Sequence, residues 1–335
     1  MPDAIVVEGL SKRFGDLAAL DGVDFVVPER SVFGLLGPNG AGKTTAIRIL
    51  ATVLEPDAGA ARILDRDVVS EPDEVRRRIG LAGQYAAVDP NLTGRENLRL
   101  IGILSQMATE DVAPRATELL SRFDLTDAAD RPVRTYSGGM RRRLDIAAAL
   151  VPRPPILILD EPTTGLDLHS RNELWEMIRE LVREGTTVLL TTQYLEEADR
   201  LADRVAVIDH GHVIANDTPA ALKAQLGDTV AELGFEDEES AERARGLLDG
   251  GSAAVEREGS TVRLSSNEGP RVLIDVLRRL DSAQMPPSTL AVHQPSLDDV
   301  FLALTGRRAE ETQPGGDAAA PADGRRRRRR RGRSS

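Results

Sequence analysis

The sequence predicts an α/β protein in which helices cover a sheet, followed by a smaller α+β unit. Strand-like and helix-like patterns alternate through the first 225 residues, which is typical of a sheet covered by helices. A glycine-rich turn stands between an apolar strand and a helix near residue 40. From residue 228 the pattern changes to the order β-α-β-β-α-β, which matches a ferredoxin-like unit.

The first unit is expected to span residues 1–227. Its strand-like apolar runs are Ile5 to Val7, Asp24 to Val27, Val32 to Leu36, Ile156 to Leu159, Thr187 to Leu190 and Val205 to Ile208. Its helix-like stretches are 42–54, two within 96–124, and 139–151. Because no strand separates the two helices within 96–124, we expect a helical subdomain over about residues 85–150.

The second unit is expected to span residues 228–306 and contains no catalytic constellation. Its strands are predicted in TVAELGF, AAVERE, TVRLSS and STLAVHQ, its helices near 239–249 and 270–281, and a closing helix in LDDVFLALTG. Residues 307–335 are rich in Ala, Gly, Pro, Asp and Arg, a composition that predicts a disordered tail.

The composition excludes several classes of protein. There is no cysteine, which excludes disulfides and thiolate metal sites and fits a reducing cytoplasm. No apolar run approaches the roughly 18–20 residues of a membrane span, and the N-terminus lacks the pattern of a signal peptide. The sequence therefore predicts a soluble protein that stays inside the cell.

The net charge of −11 is distributed unevenly, because eight of the 43 basic residues are arginines between positions 325 and 333. Without them the chain has 35 basic and 54 acidic residues, a formal charge of −19. This acidity argues against broad nucleic-acid binding by the folded part. The arginine tail could attract anionic lipid headgroups or nucleic acid, or it could be solvated without a dedicated function.

The segment GPNGAGKTT matches the G-x-x-x-x-G-K-T phosphate-binding pattern and lies between a strand and a helix. The backbone N–H groups of such a loop point at phosphate oxygens, and the helix N-terminus adds its dipole. Lys43 would reach the β- and γ-phosphates, and the Thr44 hydroxyl would bind Mg²⁺. The candidate nucleotide-binding residues are Gly37, Pro38, Asn39, Gly40, Ala41, Gly42, Lys43, Thr44 and Thr45.

Two further motifs complete a candidate hydrolytic site. ILILDEP places Asp160 and Glu161 at the end of a buried strand, where Asp160 would hold Mg²⁺ and Glu161 would polarise the attacking water. YSGGM opens a helix, and Ser137, Gly138 and Gly139 would present N–H groups to an anion. Considered alone, SGG could equally be an ordinary capped helix start.

GPNGAGKTT, Gln84, YSGGM, ILILDEP and TGLD stand in the order and spacing of an ABC-type ATPase, a P-loop nucleotide hydrolase, over residues 4 to about 225. The segment QYLEEADRLADRVAVIDHGHVIANDTP and the closing SLDDVFLALTG resemble the daunorubicin/doxorubicin-resistance type of drug-exporter ATP-binding subunit. The YSGGM motif departs from the general family pattern, because Tyr136 and Met140 stand where most members have Leu and Gln.

The resemblance implies roles for further residues. Phe14 would stack on adenine, although it could instead belong to the core. Gln84 would touch Mg²⁺ or the lytic water and signal to a membrane partner, or it could be an exposed loop residue. Ser137 and Gly139 would contact the γ-phosphate bound to the opposite protomer, and Asp167 would lie across the dimer interface.

Gln193 is the largest departure from the family, because most ABC ATPases have a histidine at this position. Its amide can donate a hydrogen bond to a phosphate oxygen but cannot carry a positive charge. Three interpretations remain open: hydrolysis with Gln193 as the γ-phosphate sensor, slow switching driven mainly by binding, or an incidental residue.

The resemblance implies an ATP- and Mg²⁺-dependent subunit that energises a multidrug or antibiotic exporter. Two copies would close head to tail over two ATP molecules, bound peripherally at the cytoplasmic face of the cell membrane, and a separate polytopic permease would form the pore. The resemblance also suggests a regulatory or dimer-supporting role for the second unit. The alternatives are a soluble ABC ATPase acting on ribosomes or DNA, and a P-loop phosphotransferase, which does not account for SGG and TGLD.

Overall fold

The computed structural model describes residues 2–83, 88–226, 229–249, 254–266 and 270–305. The strands are β1 (Asp3–Phe14), β2 (Leu17–Pro28), β3 (Val32–Leu36), β4 (Ala58–Ile63), β5 (Arg66–Asp67), β6 (Ile79–Ala82), β7 (Ile156–Asp160), β8 (Thr187–Thr192), β9 (Arg204–Asp209), β10 (His212–Asp217), β11 (Thr229–Gly234), β12 (Ala254–Glu258), β13 (Thr261–Ser266) and β14 (Thr289–His293). The helices are α1 (Lys43–Leu50), α2 (Pro72–Arg76), α3 (Gly94–Leu104), α4 (Thr109–Arg122), α5 (Gly138–Ala149), α6 (Leu168–Arg183), α7 (Leu195–Leu201), α8 (Pro219–Ala224), α9 (Glu238–Leu248), α10 (Pro270–Ser282) and α11 (Leu297–Thr305).

A six-stranded sheet with the order β10-β9-β3-β8-β7-β6 forms the centre of the first unit. Neighbouring strands pair in parallel except β10, which runs antiparallel to β9. Alternate residues of β7 join different apolar clusters, Ile156 and Ile158 on one face and Leu157 and Leu159 on the other. Both faces are therefore covered, as expected for a parallel sheet. This arrangement confirms the predicted α/β class.

The central order places the ends of β3, β8 and β7 beside one another. Because the three strands are parallel, their carboxyl ends meet at the same edge of the sheet. This is the edge at which open α/β sheets bind ligands. The fold thereby positions the phosphate-binding segment, the ILILDEP carboxylates and the residues that follow β8 as neighbours.

A second sheet, with the order β2-β1-β4-β5, is antiparallel and packs on α1 and one face of the central sheet. Ile5 and Leu20 share an apolar cluster with Phe33 of β3 and Ile47 of α1. The β1–β2 hairpin therefore lies against the start of α1, beside the phosphate-binding segment.

Helices α3, α4 and α5 pack together in a cluster that covers the other face of the central sheet. The two helices predicted within 96–124 are present with no strand between them. Thr93 caps α3 by accepting from the Glu96 N–H, and the Glu96 carboxylate accepts from the Thr93 N–H in return. This reciprocal capping box stabilises the start of the helix.

The last part of the chain has the predicted β-α-β-β-α-β order, and its antiparallel sheet runs β12-β13-β11-β14. Helices α9 and α10 contribute to its apolar cluster. Helix α11 then returns to the first unit, where Val300 and Phe301 pack with Leu195 of α7 and Leu222 of α8. The ferredoxin-like unit is thus attached to the helix that follows β8.

Several element bounds differ from the sequence-based expectation. The helix expected over 42–54 ends at Leu50, because Thr52 adopts a φ of 59° and the N–H groups of Val53 and Leu54 turn back to the Arg48 carbonyl. Strands β4, β5, β6 and β10 were not predicted. Strand β4 reads AGAARI, which lacks the β-branched pattern on which strand prediction depends. In the part of the chain that the structure describes, no helix is long and apolar enough to cross a membrane.

Tyr136 is buried, and its hydroxyl donates a 2.7 Å hydrogen bond to the Ala128 carbonyl. A Cβ atom added to Gly94, the first residue of α3, would stand 2.5 Å from this hydroxyl oxygen. Tyr136 and Gly94 therefore form a matched pair at the start of α3.

We expect Gly94→Ala to lower the free energy of unfolding by about 1–3 kcal/mol, because the added methyl group meets the Tyr136 hydroxyl. Tyr136→Phe alone should cost about 1 kcal/mol through the lost hydrogen bond. Urea unfolding of the double variant should show a smaller loss than the sum of the two single variants. Additive losses would contradict the steric explanation.

Candidate active site

The phosphate-binding segment, residues 37–45, curves closely past the surrounding backbone. Gly42 has a φ of 111°, and a Cβ atom there would lie 2.4 Å from the Ala19 carbonyl oxygen. A Cβ atom on Gly37 would lie 2.1 Å from the Ile208 carbonyl oxygen. Both positions require glycine because there is no space for a Cβ atom at either one. The positive φ of Gly42 also disfavours any other residue there.

Lys43, the first residue of α1, is only 4% exposed. Its Nζ donates to the carbonyl oxygens of Gly37 at 2.7 Å and Pro38 at 3.1 Å, and it lies 3.6 Å from Glu161 Oε1. Burial lowers the pKa of Lys43, while the nearby Glu161 carboxylate opposes this shift. Backbone carbonyl groups of the phosphate-binding segment thus hold the Lys43 amine close to the Glu161 carboxylate.

Asp160 is the last residue of β7 and is 4% exposed. Its Oδ1 accepts hydrogen bonds from Thr191 Oγ1 at 2.5 Å and from Thr44 Oγ1 at 3.5 Å. The carboxylate and the Thr44 hydroxyl supply the hard oxygen donors that Mg²⁺ prefers. The residues present therefore fit a magnesium ion at this point.

Glu161 leaves the strand with a φ of 46°, a conformation that residues other than glycine seldom adopt. Its N–H donates to the carbonyl oxygen and to the hydroxyl of Thr191, at 3.2 and 3.0 Å. Its Oε2 accepts from Thr164 Oγ1 at 3.4 Å, while its Oε1 faces Lys43. The turn after β7 therefore places this carboxylate between the lysine and the TTGLD segment.

A cavity of about 280 Å³ opens above these groups. Phe14 lines it from the end of β1 and is 48% exposed, so it is not a core aromatic residue. The lining residues are Phe14, Leu17, Ala19, Asn39, Gly40, Ala41, Gly42, Lys43, Thr44, Thr45 and Glu161. The β1–β2 hairpin thus supplies an apolar wall, and the phosphate-binding segment supplies a polar floor.

Gln193 follows β8 directly and is partly exposed. Because β8 lies between β3 and β7, this residue is at the same sheet edge as Lys43 and Asp160. The N–H of Gly37 donates to the carbonyl oxygen of Thr192, which connects the phosphate-binding segment to the end of β8. Gln84 lies outside the described residues, as does the tail from residue 306.

The SGG and TGLD segments stand at the starts of helices α5 and α6. Neither segment lines the cavity above Lys43. Ser137 caps α5 by accepting from the Met140 N–H, and Asp167 caps α6 by accepting from the Ser170 N–H at 2.8 Å. This second bond lowers the pKa of Asp167. A separate cavity of about 220 Å³ is lined by Gly138, Arg141, Arg142, Asp145, Thr164, Gly165 and Leu166. Within one protomer, Ser137, Gly138 and Gly139 therefore do not line the cavity above Lys43.

Two residues that organise the site could not be identified from the sequence. Thr191 binds both carboxylate residues through its hydroxyl, although in the sequence it is only one of two threonines at the end of an apolar run. Arg142 donates to the carbonyl oxygens of Gly83, Asp160 and Pro162. Burial lowers the pKa of Arg142. Arg142 stands in an arginine run of α5 that resembles a solvated charged face, so its burial gave no signal in the sequence.

The fold and the site together define a P-loop nucleotide-binding protein with a carboxylate pair beside the phosphate-binding segment. A family model described as ABC transporter matches residues 20–164. A daunorubicin/doxorubicin resistance ATP-binding protein of Streptomyces peucetius is 51% identical over 92% of this chain and 94% of its own length.

Two further comparisons agree. A Nod factor export ATP-binding protein of Ralstonia nicotianae is 40% identical over 91% of this chain and 94% of its own length. A solved dimeric ATP-binding cassette in a post-hydrolysis state, bound to ADP and Pi, is 28% identical with a TM-score of 0.59, covering 64% of this chain and 98% of that one. The chain belongs to the ATP-binding proteins of the ABC transporter family, and its P-loop site is that of an ABC-type ATPase.

Proposed function

We propose that the chain is the ATP-hydrolysing subunit of a multidrug or antibiotic exporter and acts through a separate polytopic permease at the cytoplasmic face of the membrane. The observation that carries this proposal is the buried Lys43 held beside Glu161 at an edge that also presents Thr44 and Asp160. The similarity to resistance and export proteins over more than nine-tenths of the chain supports the direction and class of transport.

Each residue of the edge has a proposed role. Lys43 exchanges its bonds to backbone carbonyls for bonds to the β- and γ-phosphates, and Phe14 stacks on the adenine ring. Thr44 and Asp160, with Gln84, would hold Mg²⁺, which would supply charge neutralisation of the phosphates. Glu161 accepts a proton from the attacking water, and its carboxylate lines the cavity in which the phosphates would lie.

Gln193 is proposed to donate its amide to the γ-phosphate. It follows the strand between β3 and β7, so it stands at the edge to which the phosphate-binding segment and Glu161 belong. A neutral amide can orient a phosphate oxygen or a water without changing its charge. The histidine of most family members is therefore replaced by a donor that does not depend on protonation.

Hydrolysis is proposed to require two copies of the chain. Gly138 lines a cavity separate from the one above Lys43, and none of Ser137, Gly138 and Gly139 lines the latter, so a second protomer can bring these N–H groups to the bound γ-phosphate. Asp167 would lie at this interface. In a head-to-tail pair each protomer thus completes the site of the other.

The remaining parts of the chain have proposed boundaries and roles. Residues 1–227 form the ATP-binding domain, with a helical subdomain over about 85–150, and residues 228–306 form an accessory domain. The contact of α11 with α7 supports a regulatory or dimer-supporting role for that accessory domain. Residues 307–335 form a tail whose arginines would contact anionic lipid at about 1 kcal/mol each near the surface.

We expect Glu161→Gln to bind ATP and accumulate as a stable dimer, because the amide retains the shape of the side chain but cannot accept a proton. Analytical ultracentrifugation with ATP and Mg²⁺ measures this. Lys43→Ala is the matched control and should remain monomeric, since it lacks the phosphate contact. A monomeric Glu161→Gln protein with ATP bound would contradict the two-copy site.

We expect Gln193→Ala to lower kcat by about tenfold to a hundredfold, because one donor to the transition state is lost. Gln193→His should retain turnover, since the imidazole also reaches the γ-phosphate. ATPase assays of the parent, Gln193→Ala and Gln193→His proteins under one condition measure the contribution of this side chain. Equal rates would show that the residue is incidental.

The transport assignment is tested by recovering the tagged full-length chain from detergent-solubilised membranes of its own cells. We expect a polytopic membrane protein to be recovered with it in a fixed ratio. Mass spectrometry of the purified complex identifies the partner and gives the ratio. Recovery with ribosomes or DNA, and without a membrane protein, would favour the soluble ABC ATPase instead.

A further inference from the structure

Helix α6 contacts three of the segments assigned to the two-copy site. It is capped by Asp167 of the TGLD segment, and a Cβ atom on Gly139 of the SGG segment would lie 3.2 Å from Ser170 Oγ in its first turn. The next residue, Arg171, reaches Tyr194 in the turn that carries Gln193. The N-terminal end of α6 therefore lies between the segments expected at the dimer interface and the end of β8.

Arg171 makes two contacts that join different segments. Its Nε donates to the Leu166 carbonyl oxygen at 3.1 Å, which fixes the loop immediately before Asp167. Its guanidinium carbon lies 4.9 Å from the centre of the Tyr194 ring, within the range of a cation–π interaction. A single side chain thus connects the TGLD loop to the residue that follows Gln193.

The backbone around Gln193 has few ways to move independently of Tyr194. The Tyr194 N–H donates to Thr192 Oγ1 at 2.9 Å, so a closed turn encloses Gln193. Thr192 is buried at the end of β8, and its carbonyl oxygen accepts from Gly37 of the phosphate-binding segment. The Tyr194 ring and the Gln193 side chain are therefore carried by the same closed turn.

We propose that Arg171 and Tyr194 are positioning residues that hold the Gln193 amide toward the γ-phosphate and couple it to the TGLD loop. This inference rests on the role proposed above for Gln193. When the partner protomer shifts the TGLD loop, Leu166 moves Arg171, and the stacked Tyr194 ring carries the displacement to the turn around Gln193. Closure of the dimer and alignment of the γ-phosphate donor then occur together.

A second side chain of the same helix contacts the segment after Gln193. Trp175 lies four residues after Arg171, on the same face of α6, and its indole N–H donates to Glu197 Oε1 at 3.1 Å. Glu197 is 1% exposed and belongs to α7, the helix that follows Gln193. Helix α6 therefore contacts the Gln193 turn through Arg171 and helix α7 through Trp175.

The test is a double-mutant cycle in the full-length chain, with ATPase kinetics as the readout. In the parent, Tyr194→Leu and Arg171→Gln should each lower kcat by about three- to tenfold while KM and ATP binding stay unchanged. In the Gln193→Ala background the same changes should have no further effect, because they act through Gln193. A pure loss of stability would lower activity by the same factor in both backgrounds.

Two variants serve as controls. Tyr194→Phe keeps the ring face and should retain parent activity. Arg200→Gln removes a neighbouring arginine that stacks on Trp175 at 5.6 Å rather than on Tyr194, and it should also leave kcat unchanged. If Tyr194→Leu does not fold, Arg171→Gln and its background dependence carry the test alone.

The outcomes separate the two proposals. A parent-like rate for Gln193→Ala contradicts the role of Gln193 and, with it, this inference. A slow Gln193→Ala protein combined with parent-like Tyr194→Leu and Arg171→Gln proteins contradicts the positioning role alone. Equal loss in both backgrounds also overturns it, since the contact would then act on the fold rather than on Gln193.

Discussion

The hydrogen bonds of the buried Asp160 carboxylate are the interaction on which the candidate active site depends. Asp160 ends β7, and its carboxylate accepts from Thr191 at the end of β8 and from Thr44 in the first turn of α1. A buried charge is costly unless it is hydrogen-bonded, so these bonds favour one relative placement of two strands and a helix. Lys43, one residue before Thr44, is positioned by the same arrangement and remains 3.6 Å from Glu161.

Arg142 extends this arrangement to helix α5. Its guanidinium donates to carbonyl oxygens at the end of β7 and to that of Gly83, the last described residue before Gln84. Because a planar guanidinium offers several donors in a fixed geometry, one side chain can bind three carbonyl oxygens on two backbone segments. Helix α5, which begins with the SGG segment, is thereby attached to the carboxylate edge.

Features that depend on local sequence were predictable, whereas features that depend on tertiary contacts were not. The phosphate-binding segment, the buried strand before Asp160 and the β-α-β-β-α-β order were predictable, because each depends on local spacing and on residue types with narrow conformational roles. Strand β4 was not, since its conformation depends on pairing with β1, about 50 residues earlier in the chain. The early end of α1 was not predictable either, because it depends on a positive φ at Thr52, a residue type that does not predict such a turn. The role of Arg142 was equally hidden, because an arginine run on a helix looks the same whether it is solvated or buried.

Gln193 shows where the two kinds of information meet. The sequence by itself determined that an amide follows a buried strand in place of the histidine usual in the family, and that the chain carries a P-loop and a carboxylate pair. The tertiary structure alone decided that this strand lies between β3 and β7, and that Tyr194 stacks under Arg171 of α6. The physical reason is that strand order and cation–π contacts join residues far apart in the chain, whereas spacing along the chain constrains only near neighbours.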